Sequence, residues 1–255
     1  MERWNGRVAL VTGASTGIGN AIAKQLALHG MRVIGCGRDV SKIQETESDL
    51  LKLDSSKKID LYAIKCDLRN EQDILAMFDD IGNKYGRLDI CINNAGIAFP
   101  ERLMSGDTEK WREMFEVNVL ALSICTRECL KLMKTDELDD GHIINIGSLT
   151  GHMIKKEWSD VYFYSGTKAM VKTLTDGLRH ELRESGSNIQ VSMISPGAVM
   201  SEFQHRMYPG HREEILAYQQ NHQMMTVNDV ADMVLYILKA PPRVRMYDAI
   251  FGPKD

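Results

Sequence analysis

The sequence predicts an α/β fold, a doubly wound parallel sheet with helices on both faces, on three observations. Short β-rich apolar runs alternate with amphipathic stretches along the whole chain, the order that right-handed βαβ units produce. Those runs are nearly continuous in apolar character, as strands buried on both faces are. All six prolines fall at edges or in connections, where a missing N–H costs least. No repeat, low-complexity tract or linker interrupts the pattern, so one domain over residues 1–255 is expected.

In chain order, Arg7 to Thr12 reads as the first strand, and Gly17 to Gly30 carries Ile18, Ile22, Leu26 and Leu28 at roughly helical spacing. Met31 to Cys36 is the second strand. The helix after it, Val40 to Leu53, begins at Asp39 or at a Ser41–Gln44 capping box. Further strands are expected at Leu61 to Cys66, Leu88 to Asn93, His142 to Gly147, Ile189 to Ser195 and Asp248 to Phe251. Helices are expected at Glu71 to Tyr85, Thr108 to Met133, Tyr162 to Glu184 and Asn228 to Lys239.

Composition closes off several functions. With 44% hydrophobic and 26% charged residues the chain holds enough apolar material for a sizeable core. Its 31 basic and 35 acidic residues leave a net charge of -4, and no basic stripe marks a nucleic-acid binder. The seven histidines lack any paired spacing with cysteines, so no metal site is expected. Five cysteines, an odd number in largely apolar surroundings, read as reduced, buried thiols of a cytoplasmic protein. Cys125 and Cys129 share a helix face and are expected in the core. No run approaches the ~18 apolar residues of a membrane span, and the N-terminus shows no apolar leader.

The turn after the first strand, Thr12-Gly13-Ala14-Ser15-Thr16-Gly17-Ile18-Gly19, lets the backbone approach a pyrophosphate at a helix N-terminus. The second strand ends in Gly37-Arg38-Asp39. An acidic residue there would take an adenosine ribose 2′-OH, an arginine a 2′-phosphate. Gly37 leaves room and Arg38 follows directly, while Asp39 lies further into the loop; NADP(H) is favoured, with NAD(H) as the alternative. Asp67 at the third strand's end reads equally as an adenine partner or as the cap of the next helix. Asn93-Asn94-Ala95-Gly96 closes the fourth strand with small and amide residues.

Tyr164 and Lys168 stand at i and i+4 on one helical face, phenol beside ammonium. A nearby cation favours phenolate and brings the group towards the range useful for proton transfer. Ser148 follows a strand at the carboxyl edge, where open α/β sheets bind ligands, and Pro196-Gly197 follows another. Asn118 lies in an apolar helical run, where a buried amide needs a partner.

In this order and spacing these motifs resemble the short-chain dehydrogenase/reductase family over nearly the whole chain. The segments C-I-N-N-A-G, V-N-V-L-A-L-S-I-C-T-R-E and D-D-G-H-I-I-N-I resemble the branch holding dehydrogenase/reductase member 11 and insect farnesol dehydrogenase-like enzymes. The resemblance implies a single-domain Rossmann fold with a seven-stranded parallel sheet. It also implies an oxidoreductase passing hydride between NADP(H) and a ketone, aldehyde or alcohol. Tyr164 would be the proton donor or base, and Lys168 would lower its pKa and hold the nicotinamide ribose. Ser148 would polarise the carbonyl, and Asn118 would hold a water in the proton relay. The cofactor would lie against Gly13, Ser15, Thr16, Gly17, Ile18, Gly19, Arg38, Asp67, Leu68, Asn94, Ala95, Gly96, Tyr164, Lys168, Pro196, Gly197, Val199 and Ser201.

A homodimer or homotetramer is implied too, through Thr108 to Met133 and Tyr162 to Glu184. Three departures stand out: a long interval from Ser148 to Tyr164, Gly166 at a helix start, and Gly147 where a polar residue is common. The helix glycine points to close backbone packing, within the chain or across a dimer interface. Pocket walls are expected from Thr150 to Phe163 (His152, Met153, Ile154, Trp158) and from a lid near 199–226 (Phe203, His205, Met207, Tyr208, Tyr218, Met224, Met225), with Phe99 beside them. Such methionines and aromatics suit a bulky apolar ligand, a terpenoid alcohol such as farnesol, a ketosteroid or an aromatic carbonyl. The competing reading is a dinucleotide-sensing protein without turnover; an epimerase or dehydratase would need a larger substrate domain.

Overall fold

Seven apolar runs pair as parallel strands of one sheet in the computed structural model, which describes residues 1–53, 59–134 and 139–254. The strands are β1 (Val8–Thr12), β2 (Arg32–Gly37), β3 (Asp60–Lys65), β4 (Ile90–Asn93), β5 (His142–Ile146), β6 (Gln190–Pro196) and β7 (Asp248–Phe251), in the order β3-β2-β1-β4-β5-β6-β7. The chain steps outward from β1 to β3, then returns to lay β4 on the other side of β1, in register Val11 to Ile92. That reversal opens a crevice at the carboxyl ends of β1 and β4.

Alternate residues of each strand feed two separate cores, which is why the runs are continuously apolar. Ala9 and Val11 of β1 pack with α1 (Gly17–Leu28), α2 (Ser41–Leu53) and, further along the chain, the helix Val227–Lys239. Val8 and Leu10 face α3 (Glu71–Tyr85) and the helix Leu122–Met133 on the opposite side. All five cysteines are free and buried, Cys125 and Cys129 in this second core.

The expected helix from Thr108 to Met133 is interrupted. It divides into α4 (Thr108–Phe115), a wider π-helical turn (Glu116–Ala121) and α5 (Leu122–Met133). The apolar pattern continues through the insertion, so periodicity alone does not reveal it; such turns recur at functional sites. α6 (Tyr162–Glu184) follows β5. Two helices that no periodic pattern announced, α7 (Glu202–Met207) and α8 (Arg212–Asn221), lie between β6 and α9 (Val227–Lys239). Thr226 and Asp229 form a reciprocal capping box that starts α9.

Two capping expectations are settled by geometry. Asn70, not Asp67, caps α3, accepting the Gln72 N–H. Asp39 steadies the start of α2, its carboxylate accepting from the Ser41 N–H at 2.9 Å and the Ser41 hydroxyl at 2.7 Å. Gly166 faces open space in this chain, so no packing within the chain requires it. Among the described residues no helix is long and apolar enough to cross a membrane.

Candidate active site

The carboxyl edge of the sheet opens into one cleft of about 1130 Å³. It is lined by all eighteen residues expected to meet the cofactor: the glycine-rich turn (Gly13, Ser15, Thr16, Gly17, Ile18, Gly19), Arg38, Asp67, Leu68, Asn94, Ala95, Gly96, Tyr164, Lys168, Pro196, Gly197, Val199 and Ser201. Ser148 lines it as well, and Asn118 sits just behind, almost fully buried.

The glycine-rich turn is shaped by contacts with the β4 loop. Gly13 has φ +67°, and a Cβ at Gly19 would meet both the Gly13 carbonyl and the Asn94 amide at 2.4 Å. Asn94 donates to the Thr12 carbonyl at 2.8 Å, and the Thr12 hydroxyl accepts from the Asn94 and Ala95 N–H groups, each at 3.0 Å. Thr12, Asn94 and the glycines therefore set the turn as one unit. No side chain caps α1, leaving its first-turn N–H groups facing the cleft as an anion site would require.

At the β2 end, Arg38 and Lys42 both line the cleft. Gly37 also lines the cleft, and its missing Cβ makes room for the Ser15 hydroxyl, which donates to the Asp39 carbonyl at 2.6 Å. Asp67 pairs with Arg69, which holds its carboxyl below the usual range, and Arg69 reaches Glu113 at 3.2 Å. Lys42, Arg69 and Glu113 escaped the sequence reading because only the folded loops bring them to the cleft.

At the inner end, α6 presents Tyr164 and Lys168 to the β5 loop carrying Ser148. The Lys168 ammonium donates to the Ile146 carbonyl at 2.9 Å. Burial lowers its pKa to about 8. Tyr164 differs from expectation: burial pushes its phenol up to about 12, and the group opposing that is the Ser148 hydroxyl. Lys168 Nζ stands 5.8 Å from the phenol ring centre.

Asn118 sits on the π turn and ties three elements together. Its carbonyl accepts the Ile97 N–H at 2.8 Å; its amide donates to the Ile97 carbonyl at 2.9 Å and to Thr167 Oγ1 at 3.0 Å. A Cβ on Gly96 would lie 3.4 Å from both Asn118 Oδ1 and Lys168 Nζ, so these two atoms flank the same glycine. Asn118→Ala should cost about 1–3 kcal/mol by orphaning buried partners, read as a lower denaturation midpoint; an unchanged midpoint would show those bonds to be replaceable.

The walls correct several expectations. Trp158 and Thr150 line the cleft with Leu149 and Val161, while Met153 and Ile154 point outward, 46% and 61% exposed. Opposite stand Phe203, Met207, Tyr208, Ile215 and Tyr218. Met225 instead joins the core, and the Phe99 ring lies under Lys110 outside the cleft. His205 is not among the lining residues. His152 is a strut: its Nε2 meets the Ser195 hydroxyl at 2.9 Å, and Asp248 lies 3.6 Å away.

The family model for short chain dehydrogenases matches residues 7–211. The chain belongs to the short-chain dehydrogenase family. Dehydrogenase/reductase SDR family member 11 of Gallus gallus is 47% identical over 100% of this chain and 99% of its own length. Farnesol dehydrogenase of Aedes aegypti is 37% identical over 99% and 98%. A solved serine dehydrogenase complexed with NADP+, in its closed form, superposes with a TM-score of 0.86 at 30% identity, covering 96% of this chain and 94% of that one. As a short-chain dehydrogenase, the protein is an oxidoreductase with the nucleotide-binding sheet of that family.

Proposed function

We propose that the protein is an NADP(H)-dependent oxidoreductase that interconverts an apolar ketone or aldehyde and its alcohol. The observation that carries this reading is one cleft with two chemically distinct ends. Ser148, Tyr164 and Lys168 converge at the inner end, and Arg38 with Lys42 stands at the other. A bound nicotinamide dinucleotide supplies the hydride in reduction and accepts it in oxidation. Tyr164 gives its phenolic proton to the substrate oxygen in reduction and takes it back in oxidation. Ser148 donates a hydrogen bond to that oxygen. Lys168 would hold a ribose hydroxyl, and a water held beside Asn118 and Lys168 would bring a proton from solvent back to Tyr164.

Geometry supports the phosphorylated cofactor. Asp39, the acidic competitor for a ribose hydroxyl, lines the cleft too, but its carboxylate is bonded to Ser41 at the start of α2, while Arg38 and Lys42 supply the two cations that a dianionic phosphate requires. Arg38→Ala should raise KM for NADPH by about tenfold or more and leave KM for NADH nearly unchanged. Equal effects on both would return the discrimination to another residue.

The substrate walls (Leu149, Trp158, Val161, Phe203, Met207, Ile215 and Tyr218) suit a terpenoid alcohol such as farnesol, a ketosteroid or an aromatic carbonyl. They suit a small charged amino acid poorly, so the substrates that name the Aedes relative fit better than serine. Residues 199–226 act as the lid of one catalytic domain. Exposed Phe115, Leu120, Met170 and Leu174, on the π-interrupted helix and α6, form the interface of a homodimer. Five buried thiols suit a reducing cytoplasm.

A further inference from the structure

Arg206, on α7, lines the same cleft, and no sequence motif marks it. Its Nη2 donates to Thr16 Oγ1 at 2.7 Å, joining the 199–226 segment to the glycine-rich turn. Thr16 occupies the N-cap position of α1 without capping it; its hydroxyl oxygen is held by Arg206 instead. The other hydrogen bond of this guanidinium runs to the Glu202 carbonyl at 3.4 Å, within its own helix. Burial holds the Arg206 guanidinium below its ordinary range, Glu202 favours its charge, and Arg38 opposes it least of the three. A guanidinium anchored at Thr16 stands beside the first-turn N–H groups of α1, where an anion at that helix N-terminus would meet it.

The rest of α7 explains what such an anion would organise. Phe203 lies 5.8 Å, ring centre to ring centre, from Tyr164. Just past the helix, Tyr208 donates to Asp160 at 2.7 Å, linking the two substrate walls. One short segment thus touches the glycine-rich turn, the proton-transfer tyrosine and the opposite wall.

We propose that Arg206 is a phosphate-binding residue that grips the dinucleotide pyrophosphate at the α1 N-terminus and thereby holds the 199–226 segment closed over the substrate pocket. This rests on the dinucleotide reading above. The pyrophosphate is favoured over the 2′-phosphate because Arg206 is anchored at Thr16, where the α1 N–H groups begin. Arg38 and Lys42 belong to the β2 end.

Calorimetric titration of NADP+ and of NAD+ into native protein, Arg206→Ala, Arg206→Lys and Arg38→Ala separates the roles. Arg206→Ala should weaken both dinucleotides by the same factor, on the order of tenfold. Arg206→Lys should recover part of that loss, and Arg38→Ala should weaken NADP+ alone. A second readout follows the segment itself: saturating NADP+ should protect Tyr208 and Tyr218 from chymotrypsin in the native protein and not in Arg206→Ala. Unchanged affinity in Arg206→Ala, a loss confined to NADP+, or equal protease protection would overturn the assignment. If the native protein binds neither dinucleotide, the cofactor reading fails and this proposal with it.

Discussion

Tyr164→Phe should bind NADP(H) as the native protein does and lose turnover in both directions by roughly 10²–10⁴. The substitution removes one oxygen and its proton. It leaves the ring against Phe203 and the Lys168–Ile146 hydrogen bond in place, so affinity and thermal midpoint should hold. Tyr164 sits within reach of Ser148, the group that favours its ionised form, at the point where a substrate oxygen needs both a donor and a proton source. Turnover within about tenfold of the native value would give proton transfer to another group. A fall in affinity alongside turnover would make Tyr164 a structural residue of the cleft.

Lys168→Met should lower turnover by about 10² and, against intuition, stabilise the fold. Burial lowers the Lys168 pKa to about 8 from an ordinary 10.5. At about 1.4 kcal/mol per pKa unit, burying the ammonium costs on the order of 3 kcal/mol. The sign follows from linkage. Between about pH 8 and the ordinary lysine range the unfolded chain holds the proton and the folded chain does not, so native stability rises with pH across that window. Below it the full cost applies. Lys168→Met abolishes this rise, although the Ile146 carbonyl loses its partner and part of the gain is offset. Reduction should also fall as pH rises through about 8, because the ammonium that supports the proton return is then neutralised. Denaturation midpoints and reduction rates of the two proteins at several pH values test both limbs. Parallel stability curves, or a native rate that climbs through that pH, would contradict the account.

The sheet was legible because parallel strands buried on both faces leave continuous apolar runs, and most ends fall within a residue or two of expectation. Gly13 and Gly19 were legible as a tight strand-to-helix turn, since a positive φ at the first and a 2.4 Å approach at the second admit no side chain. The partners of Asn118 were not. Ile97 and Thr167 are distant in the chain and meet Asn118 only through the π turn, which local periodicity hides. Asp67 and Asn70 compete for one cap, and the choice depends on where α3 begins, a tertiary matter. Spacing on a helix shows that a cation is near, but not how completely both groups are removed from water. Arg206 belongs to a short helix without a periodic signature, and its role appears only when Thr16 lies beside it.

The most direct test of the central claim follows consumption of NADPH and, separately, NADH by purified protein, with farnesal, ketosteroids and aromatic diketones as acceptors. NADPH-dependent reduction of at least one apolar carbonyl is expected, with much slower oxidation of NADH. Binding of both dinucleotides with no consumption of either would contradict it and leave a nucleotide-sensing protein in its place.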